Sequence, residues 1–232
     1  NIWVPQDIPD GVYKGALTVA GENFADMRLP MKINVQKRTL PVPARWAFHL
    51  DLWQNPYAVA RYYNVPLWSR QHFDKMKPLM QRLANAGQKV ITASVMHHPW
   101  AGQTEDPFDS MVFRMKKIDG SWVYDYTVFD RWVEFMMSLG IDRQINCYTL
   151  VPWALKFDYY DQATNRVCFV EAKPGEAAYE DYWFSFLKDF AKHLRQKGWF
   201  EKTTIAMDER EKSMMQKAFE LIFRADAGYK VS

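Results

Sequence analysis

The chain has 232 residues and a mass of 27.4 kDa, enough for one large domain or for a small module joined to part of one. The 30 basic and 27 acidic residues leave a net charge of only +3 without a dense basic run, which argues against binding to nucleic acid or a membrane surface. Hydrophobic residues make up 48% of the chain, which excludes disorder, and no apolar run approaches the ~18 residues that membrane insertion requires.

The first residues predict a module of their own. Residues 9–36 have the pattern of a β-hairpin, because the β-type runs DGVYKGALTV and MRLPMKINVQ flank the turn-rich AGENFAD. A lone hairpin is marginally stable in water, and the chain starts at Asn1 without a methionine or a signal-like segment. We therefore expect the tail of a β-sandwich module whose earlier strands lie upstream. The proline-containing segment 38–45 predicts a linker that divides the chain into 1–40 and 41–232.

After the linker the sequence alternates between strand and helix patterns. Runs of apolar and β-branched residues predict strands at 45–53, 89–96, 143–150 and 202–209. Apolar residues at helical spacing predict helices at 69–86, from Thr127 to Gly140, at 176–197, and after the fourth strand around Met215, Ala218 and Ile222. The closing GYKVS resembles the start of a fifth strand.

Several local features refine this pattern. Pro78 predicts a kink or a split in the first helix, and Thr127 with Asp130 predicts a capping pair for the second. Two hairpins are inserted between strands and helices. One turns at Asp119-Gly120, a strong hairpin signal, and the other spans 156–171.

Four strand-and-helix units in succession predict an α/β fold with parallel strands and right-handed crossovers. Such a sheet is either doubly wound or part of a (β/α)8 TIM barrel. No glycine-rich phosphate-binding motif follows any predicted strand, which disfavours the nucleotide-binding doubly wound folds. The residues at the strand ends favour a partial barrel of about the first four βα units, preceded by the hairpin.

Tryptophans and carboxylates recur at the ends of the predicted strands. Trp53, Trp100 and Trp153 follow three successive strands, and Asp208-Glu209 follows the fourth. The carboxyl ends of parallel strands share one rim, where barrel active sites lie. Indole faces pack on pyranose rings and carboxyls perform acid–base chemistry on glycosidic oxygens, so the rim predicts a carbohydrate site. The alternative is that the indoles simply pack in the core, since the chain has 10 tryptophans.

Adjacency is the informative feature of Asp208-Glu209. Paired glycosidase carboxyls usually stand on different strands, but two consecutive acids suit a mechanism in which the 2-acetamido group of the substrate is the nucleophile. One carboxylate then holds the acetamido N–H, and the other protonates the leaving oxygen and activates water. The alternative is that both acids favour the N-terminus of the following helix.

Three strings carry a resemblance to a known family. WAFHLDLWQNPYAVARYYNVPLWS, GQKVITASVMHHPW and TTIAMDER resemble the catalytic domain of glycoside hydrolase family 123, the β-N-acetylgalactosaminidases. The resemblance spans most of 45–232, and the hairpin at 9–36 resembles the end of the β-sandwich that precedes this domain. The HLDLWQNP string and the strand-terminal Asp-Glu pair are its most specific parts.

The resemblance implies a (β/α)8 barrel that releases terminal β-linked N-acetylgalactosamine from glycans, including glycosphingolipid-type sugars. It implies a retaining, substrate-assisted mechanism with no metal and no cofactor, Asp208 as the stabiliser that orients the acetamido group, and Glu209 as general acid/base. It also suggests a secreted, periplasmic or cell-surface enzyme. From their positions at strand ends, the expected walls of the sugar pocket are Trp53, His97, Trp100, Asn146, Tyr148 and Trp153.

Two other functions remain open at this stage. One is a retaining glycosidase whose nucleophile is a carboxylate on a later strand, and the other is a non-catalytic carbohydrate-binding barrel. A barrel needs eight strands and this chain supplies four, so we expect an incomplete catalytic domain that is inactive or poorly folded in isolation.

Other chemistry is less well supported by the sequence. His97, His98 and His49 lack the spacing of a zinc motif, and strand neighbours such as His97 and His98 should point to opposite faces. The two cysteines, Cys147 and Cys168, exclude a disulfide framework, and we expect buried or half-buried thiols.

Overall fold

The computed structural model describes residues 2–232. They form two compact units, one ending at Val42 and the other spanning Pro43–Ser232. All helices of the described residues lie in the second unit, which gives the chain the mixed α/β class expected from its sequence. Across the same residues, every helix is too short or too polar to cross a bilayer.

The first unit contains a single β-hairpin among its described residues. Its strands are β1 (Gly11–Gly21) and β2 (Phe24–Val35), which pair antiparallel, so the predicted hairpin is confirmed. A two-stranded sheet cannot bury both of its own faces, and apolar side chains such as Val12, Leu17 and Met27 are exposed. Membership of a larger β-sandwich stays a prediction.

Helices and two four-stranded sheets make up the described residues of the second unit. The helices are α1 (Pro56–Tyr63), α2 (Arg70–Asn85), α3 (Thr127–Ser138), α4 (Ala177–Gln196) and α5 (Lys212–Ala225). The strands are β3 (Val90–Ser94), β4 (Phe113–Lys116), β5 (Trp122–Asp125), β6 (Gln144–Tyr148), β7 (Lys156–Asp161), β8 (Arg166–Glu171), β9 (Thr203–Ala206) and β10 (Lys230–Val231).

The central sheet is parallel throughout, with the strand order β10-β9-β6-β3. Helices α3, α4 and α5 connect its strands in turn, so the strands cross the sheet in chain order without reversal. Every residue of β3 and β9 is buried, as expected of a parallel sheet covered on both faces, which explains their apolar and β-branched composition. The carboxyl ends of all four strands consequently meet at one edge.

The inserted sheet combines the two predicted hairpins, both of which are confirmed. Its strand order is β5-β4-β7-β8, with antiparallel pairing inside each hairpin and parallel pairing between β4 and β7. The first hairpin turns at Gly120, whose φ of +82° lies in the left-handed region that glycine adopts without strain.

A buried arginine joins the inserted sheet to α4. Arg114 of β4 is 3% exposed, and its guanidinium lies over the rings of Tyr182, Trp183 and Phe186, at 4.1 Å from the centroid of the last. Its Nη1 donates to Ser110, whereas its Nε and Nη2 have no hydrogen-bond partner in the described part of the chain. Aromatic faces therefore take the place of a carboxylate beside this cation.

Residues 45–53 do not form the predicted strand. Only Leu50 makes a β-bridge there, parallel to Gln88. Side-chain amides replace the backbone ladder: Gln88 accepts from the Leu52 N–H at 2.9 Å and donates to the Leu52 carbonyl at 3.1 Å. Gln54 makes similar contacts with the backbone of β3. Because these partners are 36 to 38 residues apart, the local pattern could not indicate them.

Two details of the first helices differ from expectation. Helix α1 was not predicted, although Asn55 accepts a capping hydrogen bond from the Ala58 N–H at 3.1 Å and Pro56 occupies the first turn. Of the two effects predicted for Pro78, the split is wrong, because α2 is a single helix, and the kink stays a prediction. Pro78 has no N–H to donate to the carbonyl of Asp74, four residues earlier in the helix. Both residues are exposed, so water can satisfy that carbonyl.

The start of α3 also differs from its prediction. The expected capping pair of Thr127 and Asp130 is wrong, because the Asp125 carboxylate accepts from the Thr127 N–H at 2.7 Å. Asp130 instead contacts His193 Nε2 at 2.7 Å, which ties α3 to α4.

Candidate active site

Three aromatic rings meet near the carboxyl ends of β3 and β6. Trp53, Trp100 and Tyr148 have ring centroids 5.0 to 5.2 Å apart. Trp53 is 54% exposed, whereas Trp100 and Tyr148 are buried at 3% and 5%. These three residues are called the aromatic platform. Trp53 is its solvent-exposed member. Trp100 supports it from beneath, although its position in the sequence predicted a wall residue.

The loop 207–210, between β9 and α5, carries the two adjacent acids. The half-buried Asp208 accepts a hydrogen bond from Trp153 Nε1 at Oδ2 (2.8 Å), and its Oδ1 accepts from the Glu209 N–H at 2.9 Å. Glu209 is exposed. The Arg210 guanidinium lies over the Trp153 ring at 5.0 Å from its centroid. Trp153 thus orients Asp208, while the Glu209 carboxyl is open to solvent.

Neither acid caps the following helix. Helix α5 begins at Lys212, its N-cap residue is Glu211, and its first turn contains no acidic residue. The Glu211 side chain makes no capping hydrogen bond. Asp208 and Glu209 precede the cap, so the geometry does not favour the helix-capping alternative.

Tyr148 connects the platform electrostatically to the acidic loop. Burial raises the pKa of the Tyr148 hydroxyl to about 12, and the nearby Asp51 and Asp208 carboxylates act in the same direction. The hydroxyl therefore stays protonated at neutral pH and is available as a hydrogen-bond donor. Tyr148 and Asp208 are close enough to interact, as expected from their positions at strand ends.

Asn146 and Asp51 form a polar network beside Tyr148. The buried Asn146 accepts from Thr204 at 2.5 Å and from Gln144 at 2.6 Å, and donates to Asp51 Oδ2 at 3.2 Å. Asn146 thus links β6 and β9 to Asp51 and also acts on the Tyr148 hydroxyl. Burial raises the pKa of Asp51, and its Oδ1 has no hydrogen-bond partner among the described residues.

Asp51 is a candidate site residue that the strand-end pattern did not single out. Its carboxylate accepts from Asn146 and acts on the Tyr148 hydroxyl, so Asp51 is a candidate for positioning the platform. The available signal was its place in the HLDLWQNP string, two residues before Trp53.

His97 lies in a different environment from the platform. It lines a cavity of about 270 Å³ with His98, Lys156 and Phe169. Both histidines follow the end of β3, and their rings stack with centroids 3.6 Å apart. The expectation that they point to opposite faces is therefore wrong, because the alternation of a strand does not extend to them.

A larger cavity of about 440 Å³ adjoins the acidic loop. Its lining includes Arg210, the first turn of α5, and the two lysines Lys173 and Lys217. Its volume falls in the range of about 300–1,000 Å³ typical of small-molecule sites. Arg210 represents the loop 207–210 in this lining, and Asp208 and Glu209 are not among the lining residues.

The cysteines take no part in these sites. Cys147 is buried within β6 and Cys168 is half-buried, as expected. Burial raises the pKa of the Cys147 thiol far above neutral pH, so it stays protonated and unreactive.

Comparison with known families identifies the family of this chain. The family described as glycoside hydrolase 123, catalytic domain, matches residues 53–232. This match covers most of the chain, including the platform and the acidic loop. The chain belongs to glycoside hydrolase family 123, as the sequence resemblance indicated.

One similar solved structure belongs to a family 123 glycoside hydrolase from Clostridium perfringens, described as acting in glycolipid glycan hydrolysis. The match has a TM-score of 0.91 and 29% sequence identity, and it covers 98% of this chain. This chain spans 42% of the length of that protein. A comparison with curated proteins found no match.

Proposed function

We propose that the enzyme containing this chain releases terminal β-linked N-acetylgalactosamine by a retaining, substrate-assisted mechanism. The observation that carries the proposal is that Asp208 and Glu209 follow one strand consecutively. In addition, Trp153 holds the Asp208 carboxylate close to Tyr148 of the platform. Membership of family 123 supports glycoside hydrolysis. The description of the Clostridium relative supports glycolipid glycans as the substrate class.

The two carboxyls have different tasks in this mechanism. Asp208 accepts the acetamido N–H and offsets positive charge as the acetamido oxygen bonds to the anomeric carbon. Glu209 gives its proton to the leaving oxygen as the glycosidic bond breaks, then takes a proton from the water that opens the oxazolinium intermediate. The solvent-accessible position of Glu209 suits exchange with water, and the fixed position of Asp208 suits orientation.

The platform supplies the sugar-binding surface. We propose that the exposed ring of Trp53 packs against the C–H face of the sugar and that the Tyr148 hydroxyl donates to a sugar oxygen. No metal or cofactor enters these steps.

The strand order also supports the proposal that the second unit is part of a (β/α)8 barrel. The parallel strands follow chain order across the sheet, as successive strands of a (β/α)8 barrel do, whereas a doubly wound sheet reverses its order at a switch point.

A pair of substrates tests the proposed nucleophile on the full-length enzyme. The 4-nitrophenyl β-glycosides of N-acetylgalactosamine and galactose differ in the 2-acetamido group. We expect kcat/KM to be at least about 10³-fold lower for the galactoside, because it lacks the internal nucleophile. Comparable activity on both sugars, or a trapped covalent sugar–protein adduct in mass spectrometry, would refute substrate assistance and indicate an enzymic carboxylate nucleophile.

A further inference from the structure

Three potential metal ligands from separate parts of the chain converge beside the inserted sheet. His97 follows β3, Asp109 lies in the connection that leads to β4, and Asp158 belongs to β7. One ligand atom from each residue lies within 4.8 Å of the others. These three residues are called the His-Asp-Asp cluster. Their convergence depends on the fold, because Asp158 is far from the other two in sequence.

The contact between His97 and Asp109 matches the spacing of two ligands in one coordination shell. His97 Nδ1 and Asp109 Oδ1 are 3.0 Å apart. Two ligands at right angles around an ion with bonds of about 2.1 Å would also lie about 3.0 Å apart. Without an ion, the same contact is a hydrogen bond.

Asp158 supplies a second, independent observation. Its Oδ1 is buried and has no hydrogen-bond partner among the described residues, although burying a carboxylate oxygen without a donor is unfavourable. Within residues 2–232, neither Asp109 nor Asp158 forms an ion pair with a lysine or an arginine. Lys156, which lines the neighbouring cavity, lies 3.5 Å from Glu171 instead.

A second histidine–aspartate pair in the same protein differs from this cluster, because a lysine contacts its aspartate. His193 Nε2 lies 2.7 Å from Asp130 Oδ1, but Lys197 Nζ is 3.0 Å from Asp130 Oδ2. An ammonium group therefore already balances the carboxylate in that pair. The His-Asp-Asp cluster has two carboxylates and no such cation.

We propose that His97, Asp109 and Asp158 bind a divalent transition-metal ion, for which Zn²⁺ and Mn²⁺ are suitable probes. One imidazole nitrogen and two carboxylates are donors that both ions accept, and three protein ligands leave positions for water. The His98 ring stacks on His97 and holds its orientation. The ion would tie the segment after β3 to the inserted sheet, so its role is structural and does not depend on the proposed function.

Metal titration of the full-length enzyme tests this site. After treatment with EDTA and its removal, we expect calorimetry with ZnCl₂ or MnCl₂ to show one ion bound per cluster, with a dissociation constant of about 1 μM or lower. Saturation should raise Tm by about 5 °C, because the ion binds only the folded protein. An anomalous diffraction peak should lie between the three side chains.

Matched variants assign the binding to these residues. Asp158→Asn should weaken binding at least about 10-fold and abolish the Tm increase. Asp109→Asn provides a second variant at an exposed side chain and should also weaken binding at least about 10-fold. Asp130→Asn changes the other histidine–aspartate pair and should bind the ion as the parent does. Absence of binding at one ion per cluster, or equal binding by the parent and both cluster variants, would overturn the proposal.

Discussion

The two four-stranded sheets of the second unit distribute their polar residues differently. Every residue of β3 and β9 in the central sheet is buried, and candidate site residues such as Tyr148 and Asp208 lie at or just beyond the strand ends. In the inserted sheet, strands such as β8 alternate between exposed and half-buried residues, and polar groups lie along its faces. A sheet covered on both sides thus concentrates function at its ends, whereas a half-exposed sheet can carry polar groups along its length.

The largest expected effect concerns the end of the central sheet. Glu209→Gln in the full-length enzyme should lower kcat at least ~10²-fold on an unactivated glycan, because the leaving oxygen loses its proton donor. The loss should be smaller on a nitrophenyl glycoside, whose leaving group needs less protonation. Steady-state kinetics on both substrates provide the measurement.

Glu220→Gln is the matched control for this prediction, since Glu220 is exposed on α5. It should leave kcat near the parental value. Unchanged turnover in Glu209→Gln would contradict its role as general acid/base, and absence of turnover in the parent enzyme would favour a non-catalytic carbohydrate-binding protein.

A stability comparison between the sheets should give the next largest effect. Ile205 of β9 is completely buried, and Ile205→Ala should lower the free energy of unfolding by about 2–4 kcal/mol through lost packing and a residual cavity. Val167 of β8 is 64% exposed, so Val167→Ala should change the free energy of unfolding by less than about 0.5 kcal/mol. Urea unfolding of both variants measures the difference, and equal destabilisation would contradict the contrast between the sheets.

A smaller effect is expected from the contact that orients Asp208. Trp153→Phe keeps a ring beneath Arg210 but removes the N–H that donates to Asp208, and should lower kcat/KM about 10-fold. Trp122→Phe in β5 is the control, because Trp122 Nε1 has no hydrogen-bond partner among the described residues. If both variants lose activity equally, the Trp153–Asp208 hydrogen bond has no specific role.

The predictable part of the fold depends on local patterns. Short β-branched runs predicted β3, β6 and β9, and apolar helical spacing predicted α2 to α5, because each pattern reports burial of one element by itself. The two hairpins were predicted from their turns, but their union into one sheet was not, since it rests on contacts between β4 and β7.

The site was predictable to a similar extent. Trp53 lies beside Tyr148 although the strand predicted at 45–53 does not form. Strand-end position placed Tyr148 near Asp208, because parallel strands end at one edge whatever their other contacts. It could not separate the exposed Trp53 from the buried Trp100, since that difference arises from packing among residues distant in sequence. The stacking of His97 on His98 likewise follows from loop geometry beyond β3.

Arg114 gives the junction between the inserted sheet and α4 an unusual tolerance of solution conditions. The same junction has an ion pair, Lys116 Nζ to Asp181 Oδ2 at 2.9 Å, on the surface. Added salt screens such an ion pair. A buried guanidinium enclosed by aromatic rings is shielded from the salt ions and does not depend on a carboxylate partner. High salt should therefore weaken the surface ion pair between the inserted sheet and α4 before it weakens the packing of Arg114.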